Sequence, residues 1–424
     1  MHYLGEAGAG ENRRTSQRVI HEENIKRLFN LLNSHRELSR TDLARLTGLS
    51  PTTVSALVDE LLRQNLAVEA GYARTMQTGR KPINLHIHAN GRQIPVFSLS
   101  RWGIRYTLYN LGMEVLESMF VGHDSGCYGG FQEDAADPYP NAGPDYAELI
   151  ADILLSRSKC FRADLALVIC VNYPGIYLAE QHVFSLSSMH VSFCEDSMKA
   201  LEERMGLPVF IGNSAQSSAY AEKKYLEAAG QGTDDLIYVL VWDGVGTGIV
   251  EKGKIYMGRE GFCGEMGHVS VNYRGKRCVC GGRGCLEQYV NVEAIISRVA
   301  QLVDFHPLEL LPTDPAQLTL EKIGRAYEAG EKEIVSLLDD VAAQLFAGMY
   351  STMCITGIAR MYIGGGIERL GARFLDQLRL MAENAGGGLL SRRMCIDYGH
   401  ISSEDIGRGI AEYYIDKVFE IGKR

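Results

Sequence analysis

The stretch from Gly261 to Val290 constrains this chain more than any other, because it concentrates metal-binding residue types in a short glycine-rich run. His268 stands ten residues before Cys278, and Cys280 and Cys285 complete a C-x-C-x4-C pattern. One imidazole and three thiolates form a closed tetrahedral ligand set for Zn²⁺, and closed sites are usually structural. The sequence therefore predicts a structural zinc ion here. Chance proximity of the cysteines is the alternative.

Two glutamates accompany these ligands. Glu265 precedes His268 by three residues in GEMGH, and Glu287 follows Cys285 by two. Carboxylates held on a rigid loop are suited to binding sugar hydroxyl groups. Solvated surface glutamates are the alternative.

GEMGH followed by C-x-C-G-G-x-G-C-L-E resembles the zinc signature of the ROK family, a group of repressors, open reading frames and sugar kinases. The resemblance extends over residues 15–424. It implies an α/β fold in which an N-terminal winged helix-turn-helix precedes an actin-like, ribonuclease H-like body of two lobes, of the sugar-kinase type. It also implies a homodimer, which a two-fold symmetric operator would require of a helix-turn-helix protein.

The 424-residue chain is too long for one ordinary core, so two or three domains are expected. With 46% hydrophobic and 22% charged residues, it has the composition of a soluble globular protein. No apolar run is long enough to span a membrane, and no apolar region follows Arg13 and Arg14 as it would in an export signal. Ten cysteines without a regular framework outside the zinc candidate suggest a reducing cytoplasm. No internal sequence repeat is visible.

The charge is distributed unevenly along a chain whose net charge is −9. Residues 13–81 contain 12 lysines and arginines against 7 aspartates and glutamates, so the remainder is strongly acidic. A basic end on an acidic body favours contact with a polyanion such as DNA. A solvated charged face is the more common alternative.

Residues 39–63 show the pattern of a helix-turn-helix. Ser39 would cap a first helix, Gly48 would provide the turn, and Ser50 followed by proline would cap a second helix. The apolar stripe of the second helix would pack inward and leave small polar side chains at its N-terminal end for the major groove of DNA. An ordinary helical hairpin is the alternative.

A wing is expected beyond Leu66, where two short strands flank a loop rich in Gly, Arg and Lys. Gly79, Arg80, Lys81 and Pro82 resemble the G-R-x-P wing of ROK repressors, and an arginine there could reach the minor groove or a phosphate. The residues expected to contact double-stranded operator DNA are Arg40, Ser50, Thr52, Thr53, Ser55, Arg80 and Lys81.

One substitution in the body argues against nucleotide binding. Sugar kinases of the ROK family carry an aspartate and a glycine turn that hold the metal-nucleotide phosphates, whereas this chain has Ser98 and then Ser100, Arg101 and Trp102. Backbone amides cannot cradle a triphosphate when bulky side chains fill the turn. ATP binding is therefore not expected.

A second substitution removes the expected general base. The family pattern is an Asn-Asp pair whose aspartate takes the proton from the sugar hydroxyl, whereas this chain has Asn213 and Ser214. Serine has no useful basicity at neutral pH, so phosphoryl transfer should be lost. A sugar or sugar phosphate is still expected to contact Asn213, Glu265, His268 and Glu287. A plain helix N-cap at Asn213 is compatible with this expectation.

These patterns predict a disordered tail over 1–14, a winged helix-turn-helix over 15–89 and a ROK body over 95–424 with a zinc loop over 268–285. The expected function is a DNA-binding regulator that represses carbohydrate genes. The alternatives are an active sugar kinase with a DNA-binding appendage and a zinc-stabilised scaffold for a protein partner.

Overall fold

The computed structural model describes residues 12–35, 37–72, 83–100, 102–122, 145–178, 183–185, 193–259, 261, 263–385, 394–402 and 405–418. Within these residues, a winged helix-turn-helix precedes a body of two lobes, each built on a five-stranded sheet. The predicted α/β fold is confirmed. In this part of the chain, no helix combines the length and apolar character that a membrane crossing requires.

The N-terminal domain packs three helices on a small antiparallel sheet with the strand order β1-β3-β2. Its elements are α1 (Asn12–Ser34), β1 (Leu38–Ser39), α2 (Arg40–Thr47), α3 (Pro51–Arg63), β2 (Ala67–Tyr72) and β3 (Ile83–Ile87). Helix α1 includes residues 12–14 of the predicted tail, whereas residues 1–11 lie outside the described residues.

Both helices of the predicted helix-turn-helix begin with a side-chain cap. The hydroxyl of Ser39 accepts from the backbone N–H of Asp42, whose carboxylate accepts from the Ser39 N–H in return. Gly48 ends α2 in a left-handed conformation with φ of 72°. Ser50 then accepts from the N–H of Thr53 and begins α3. Local side-chain contacts therefore mark where α2 and α3 begin.

The first lobe is built on a sheet with the strand order β10-β7-β4-β5-β6. Its elements are β4 (Gln93–Ser100), β5 (Gly103–Asn110), β6 (Val115–Gly122), α4 (Tyr146–Asp152), β7 (Ile169–Tyr173), β8 (Ile176–Leu178), β9 (Val183–Ser185), α5 (Glu195–Met205), β10 (Val209–Asn213) and α6 (Ser214–Ala228). Strands β4, β5 and β6 are antiparallel, whereas β7 and β10 run parallel to β4.

The second lobe repeats this topology with the strand order β13-β12-β11-β14-β15. Its elements are β11 (Leu236–Val241), β12 (Val245–Glu251), β13 (Lys254–Ile255), α7 (Glu287–Val290), α8 (Val292–Phe305), α9 (Leu320–Ala329), α10 (Lys332–Thr356), β14 (Arg360–Gly364), α11 (Ala372–Asn384) and β15 (Cys395–Tyr398). Three antiparallel strands are again followed by two parallel ones. The final helix, α12 (Arg408–Val418), returns to pack on α6, β4 and β7.

One continuous apolar cluster joins the N-terminal domain to the first lobe. It combines residues of the helix-turn-helix, of strands β3 to β5, of the segment leading into β7 and of α12, among them Leu28, Leu57, Leu85, Ile94, Val96, Tyr109, Val168 and Ile410. The two predicted domains therefore meet across a packed junction at residues 89–95.

Candidate functional site

The four predicted metal ligands lie together. Their ligand atoms, one from His268 and the Sγ atoms of Cys278, Cys280 and Cys285, all lie within 4.8 Å of one another. The Cys280 and Cys285 sulfurs are 3.6 Å apart, and Cys278 Sγ lies 3.6 Å from His268 Nδ1. A tetrahedral ion bound at about 2.3 Å by each sulfur would separate its ligands by about 3.8 Å. The donor set and its spacing therefore fit Zn²⁺.

Local contacts hold this loop in shape. The backbone N–H of Gly282 donates to Cys280 Sγ at 3.4 Å, as expected for a sulfur that carries negative charge. Gly284 has φ of 65°, and a Cβ at this position would collide with the carbonyl oxygen of Asn272. Burial and the neighbouring thiols raise the pKa of Cys285, because its thiolate is unfavourable there without a cation. A divalent ion would offset this cost.

A cavity of about 430 Å³ lies between the two lobes. The four residues predicted to bind a sugar line it, together with the two serines that the resemblance aligned with acidic residues of the family's kinases: Ser98, Asn213, Ser214, Glu265, His268 and Glu287. The tertiary structure thus brings into one cavity residues that are nearly 190 positions apart in the sequence. The volume lies within the range of small-molecule binding sites in proteins, about 300–1,000 Å³.

His268 connects the metal-ligand cluster to the cavity. Its Nδ1 faces the thiols, whereas its Nε2 lies 3.9 Å from a carboxylate oxygen of Glu265. Glu287 is 4% exposed and accepts a hydrogen bond of 3.0 Å from the backbone N–H of Val245. Burial and the Glu287 carboxylate raise the pKa of Glu265 to about 7. The loop therefore presents two carboxyl groups and one imidazole nitrogen to a ligand.

Asn213 is held rigidly by the fold. Its Oδ1 caps α6 by accepting from the N–H groups of Ala215 and Gln216, and its Nδ2 donates to the carbonyl of Gly175 at 2.9 Å. The predicted N-cap is therefore present. Ser214 follows as the first residue of α6 and faces the same cavity.

Sequence reasoning missed Asn172, which lies in β7 and also lines the cavity. It is 0% exposed and its Nδ2 donates to Ser98 Oγ at 3.4 Å, while its Oδ1 has no hydrogen-bond partner among the described residues. A buried acceptor without a partner is costly unless a ligand or solvent donates to it. The sequence signal that could have identified Asn172 was its polar amide in an otherwise apolar strand.

The N-terminal end of α3 presents the small polar side chains predicted to meet DNA. Thr52 and Thr53 are exposed, and Ser55 is half-buried. Ser50 is occupied as the helix cap and also hydrogen-bonds the hydroxyl of Thr53 at 2.8 Å. The opposite side of α3 buries Val54 and its apolar neighbours.

Arg40 is held by contacts within its own domain. Its guanidinium donates to the carbonyl of Ser55 at 3.1 Å and forms ion pairs with Asp59 at 2.9 Å and Glu69 at 3.2 Å. These contacts tie the start of α2 to α3 and to β2. Arg80 and Lys81, the predicted wing contacts, lie outside the described residues, although the flanking strands β2 and β3 form the expected antiparallel pair.

Comparisons with known proteins agree with this architecture. The chain is 27% identical over 347 residues to the xylose repressor of Caldicellulosiruptor bescii, covering 81% of this chain and 82% of that protein. It is 27% identical over 334 residues to the DNA-binding transcriptional dual regulator NagC of Escherichia coli, covering 77% and 76%. A solved ROK family transcriptional regulator, described as a homologue of the E. coli MLC protein, superposes with a TM-score of 0.73 at 21% identity, covering 95% of this chain and 100% of the other.

Two family descriptions match separate parts of the chain. Residues 22–66 match winged helix-turn-helix DNA-binding domains, within the region predicted to bind DNA. Residues 140–393 match the ROK family, as the zinc-loop signature suggested. The chain therefore belongs to the ROK family and carries a winged helix-turn-helix at its N-terminus.

Proposed function

We propose that this chain is a DNA-binding transcriptional repressor of carbohydrate genes whose ROK body binds a sugar effector and no longer transfers phosphoryl groups. One observation carries the proposal: a winged helix-turn-helix is packed directly onto a lobe whose other end lines a sugar-sized cavity. Similarity to the xylose repressor and to NagC supports the same assignment. Such a regulator works on DNA in the cytoplasm, as a homodimer on a two-fold operator.

Phosphoryl transfer is not expected because Ser98 and Ser214 stand at the positions of the two acidic residues in the family's kinases. Both serines face the cavity, and neither can bind a metal-nucleotide complex tightly or accept a proton at neutral pH. A coupled assay of ADP release with glucose, xylose and N-acetylglucosamine should therefore show no turnover above background. Measurable turnover with any of these sugars would favour a kinase with a DNA-binding appendage.

We assign a structural Zn²⁺ to His268, Cys278, Cys280 and Cys285. A bound ion would neutralise the thiolates and hold the loop over 268–285 closed. Because Nδ1 of His268 faces the thiols, its Nε2 is left to face Glu265 and the cavity. Glu265, His268, Glu287 and Asn213 are then the proposed contacts for sugar hydroxyl groups, with Asn172 as a further acceptor.

Strand β4 provides the path by which a bound sugar can affect DNA binding. Its last residues, Ser98 and Ser100, line the cavity, and its first residue, Gln93, directly follows Arg92, whose side chain contacts the end of α3. Gln93 is held by main-chain hydrogen bonds to Leu165 and Leu167 and by a side-chain bond to the carbonyl of Cys160. A movement of the cavity end of β4 would therefore be transmitted along a hydrogen-bonded strand.

Arg92 makes the connection to α3. Its Nε donates to the carbonyl of Gln64, the C-cap residue of α3, at 2.8 Å, and its guanidinium also donates to the carbonyl of Asp164 in the first lobe at 3.4 Å. The adjacent Gly91 packs so closely that a Cβ there would collide with the carbonyl oxygen of Asn65. These contacts connect the first lobe to the end of α3.

The proposed DNA face gives a direct test. Replacing the exposed Thr52 with glutamate places a negative charge where α3 would approach the phosphates, and affinity for DNA should fall by at least about tenfold. The fold should be unchanged because Thr52 makes no buried contact. Fluorescence anisotropy with a labelled fragment from the chain's own upstream promoter measures the affinity.

The matched control is Ser156→Glu, which adds the same charge to an exposed position in the body. It should bind DNA like the unmodified protein. Binding by the unmodified protein should also weaken steeply with salt, because counterions are released from the phosphates. Failure to bind duplex DNA at low ionic strength would exclude the proposed function and favour a scaffold for a protein partner.

A further inference from the structure

Both tryptophans of the chain, Trp102 and Trp242, line the interlobe cavity. Trp102 lies in the turn between β4 and β5 of the first lobe, and Trp242 lies directly after β11 of the second. Phe120 on β6 lines the cavity as a third aromatic residue. None of these rings belongs to the proposed hydroxyl-binding set, so the cavity contains an aromatic part as well as a polar part.

Specific contacts orient the rings. Trp102 Nε1 donates to Asp243 Oδ1 at 3.2 Å, which joins the first lobe to the second across the cleft. The guanidinium of Arg369 lies over the Trp242 ring at 5.3 Å from its centroid. Trp102 is nevertheless 46% exposed. Indole surface that is fixed in place, open to solvent and next to hydroxyl-binding groups is suited to stacking on a ligand ring.

The charges around the cavity select against an anionic ligand. Three acidic side chains line it, Asp243, Glu265 and Glu287. Of the two lining arginines, Arg369 forms an ion pair of 3.2 Å with Glu321, and Arg105 lies over the ring of Phe120 at 5.7 Å from its centroid. A phosphate group would therefore be bound close to carboxylates and would compete for a guanidinium that is already paired.

We infer that the effector is a neutral glycoside of two rings, in which one sugar ring meets the hydroxyl-binding residues and the second ring, sugar or aromatic, stacks on Trp102. This inference rests on the proposed sugar-binding function and narrows the effector within it. The cavity of about 430 Å³ has room beyond the polar residues that a single sugar would contact. Burial of the second ring should raise affinity over the parent monosaccharide by about tenfold or more.

Isothermal titration calorimetry on the full chain tests the inference with two matched series. The first contains xylose, xylobiose and phenyl β-xyloside, and the second contains glucose, cellobiose, phenyl β-glucoside and glucose 6-phosphate. In at least one of the two series, a two-ring compound should bind more tightly than its monosaccharide, by about tenfold or more. The disaccharide and the phenyl glycoside show whether the second ring is a sugar or an aromatic group.

Variants at Trp102 separate stacking from a structural role. Trp102→Ala should remove the preference for two rings and leave monosaccharide affinity within about threefold, whereas Trp102→Phe should retain most of the preference although it cannot donate to Asp243. Phe305→Ala, at an aromatic residue that is exposed outside the cavity, should change neither affinity. Thermal melts of all three variants check the fold.

The possible results lead to different conclusions. Three results would overturn the two-ring inference alone. They are equal affinity for one-ring and two-ring compounds, tighter binding of glucose 6-phosphate than of glucose, and an equal loss of affinity for all ligands in Trp102→Ala. No binding of any sugar or glycoside at millimolar concentration would overturn the proposed effector function as well.

Discussion

The substitution Cys280→Ser is expected to abolish zinc binding and to lower sugar affinity by at least about tenfold. The Cys280 sulfur lies 3.6 Å from that of Cys285 and accepts the N–H of Gly282, so its loss leaves an incomplete ligand set. A serine hydroxyl is a poor zinc ligand. His268 would then lose its anchor, and with it the position of its Nε2 beside Glu265.

Metal content and affinity are measured on the same samples. Elemental analysis of the unmodified protein should find one zinc per chain, and that of Cys280→Ser should find almost none. Cys354→Ser, at an exposed cysteine outside the loop, should retain both the zinc and the affinity for sugar. If Cys280→Ser kept its zinc and bound sugar normally, or if the unmodified protein contained no metal, the structural zinc assignment would be wrong.

Loss of the Arg92 side chain should disconnect sugar binding from DNA binding. In the unmodified protein, a bound sugar should change DNA affinity by about tenfold or more, a typical allosteric coupling. Arg92→Ala removes the 2.8 Å hydrogen bond to the end of α3 and the bond to Asp164. The sugar-induced change should fall below about threefold, while each affinity measured alone should change little because Arg92 lines neither proposed site.

Anisotropy titrations of a labelled operator fragment, with and without saturating sugar, measure this coupling. Arg162→Ala is the matched control, because among the described residues the Arg162 guanidinium pairs with the nearby Asp164 side chain on the same exposed loop and with no group of α3. It should keep the full response. A full response in Arg92→Ala would show that the effector acts by another path, for example by changing the dimer.

Several features could be predicted because they depend on residues close together in the sequence. The helix caps at Ser39 and Ser50 each involve partners three positions away. The metal-ligand cluster is contained within 18 residues, so the types and spacing of the ligands were sufficient to predict it. The prediction that Asn213 could act as a helix N-cap is also met, because Asn213 caps α6 in the structure.

Other features depend on contacts that no local pattern reveals. Asn172 meets Ser98 from 74 positions away, and Trp102 meets Asp243 from 141 positions away. Arg40 has the positive charge expected of a DNA contact, but in the structure its guanidinium is bonded to residues of α3 and β2. The two lobes share one strand order without a visible sequence repeat, because many different sequences satisfy the same alternation of buried and exposed side chains.

The sequence by itself thus determined the family, the helix-turn-helix and the metal-ligand loop, since each depends on interactions between residues that are near neighbours along the chain. Only the tertiary structure decided which side chains share the interlobe cavity and that Arg92 links the first lobe to α3. The physical reason is that these contacts join segments whose distance in space is set by the whole path of the chain through two sheets, and not by the spacing of residues within either segment.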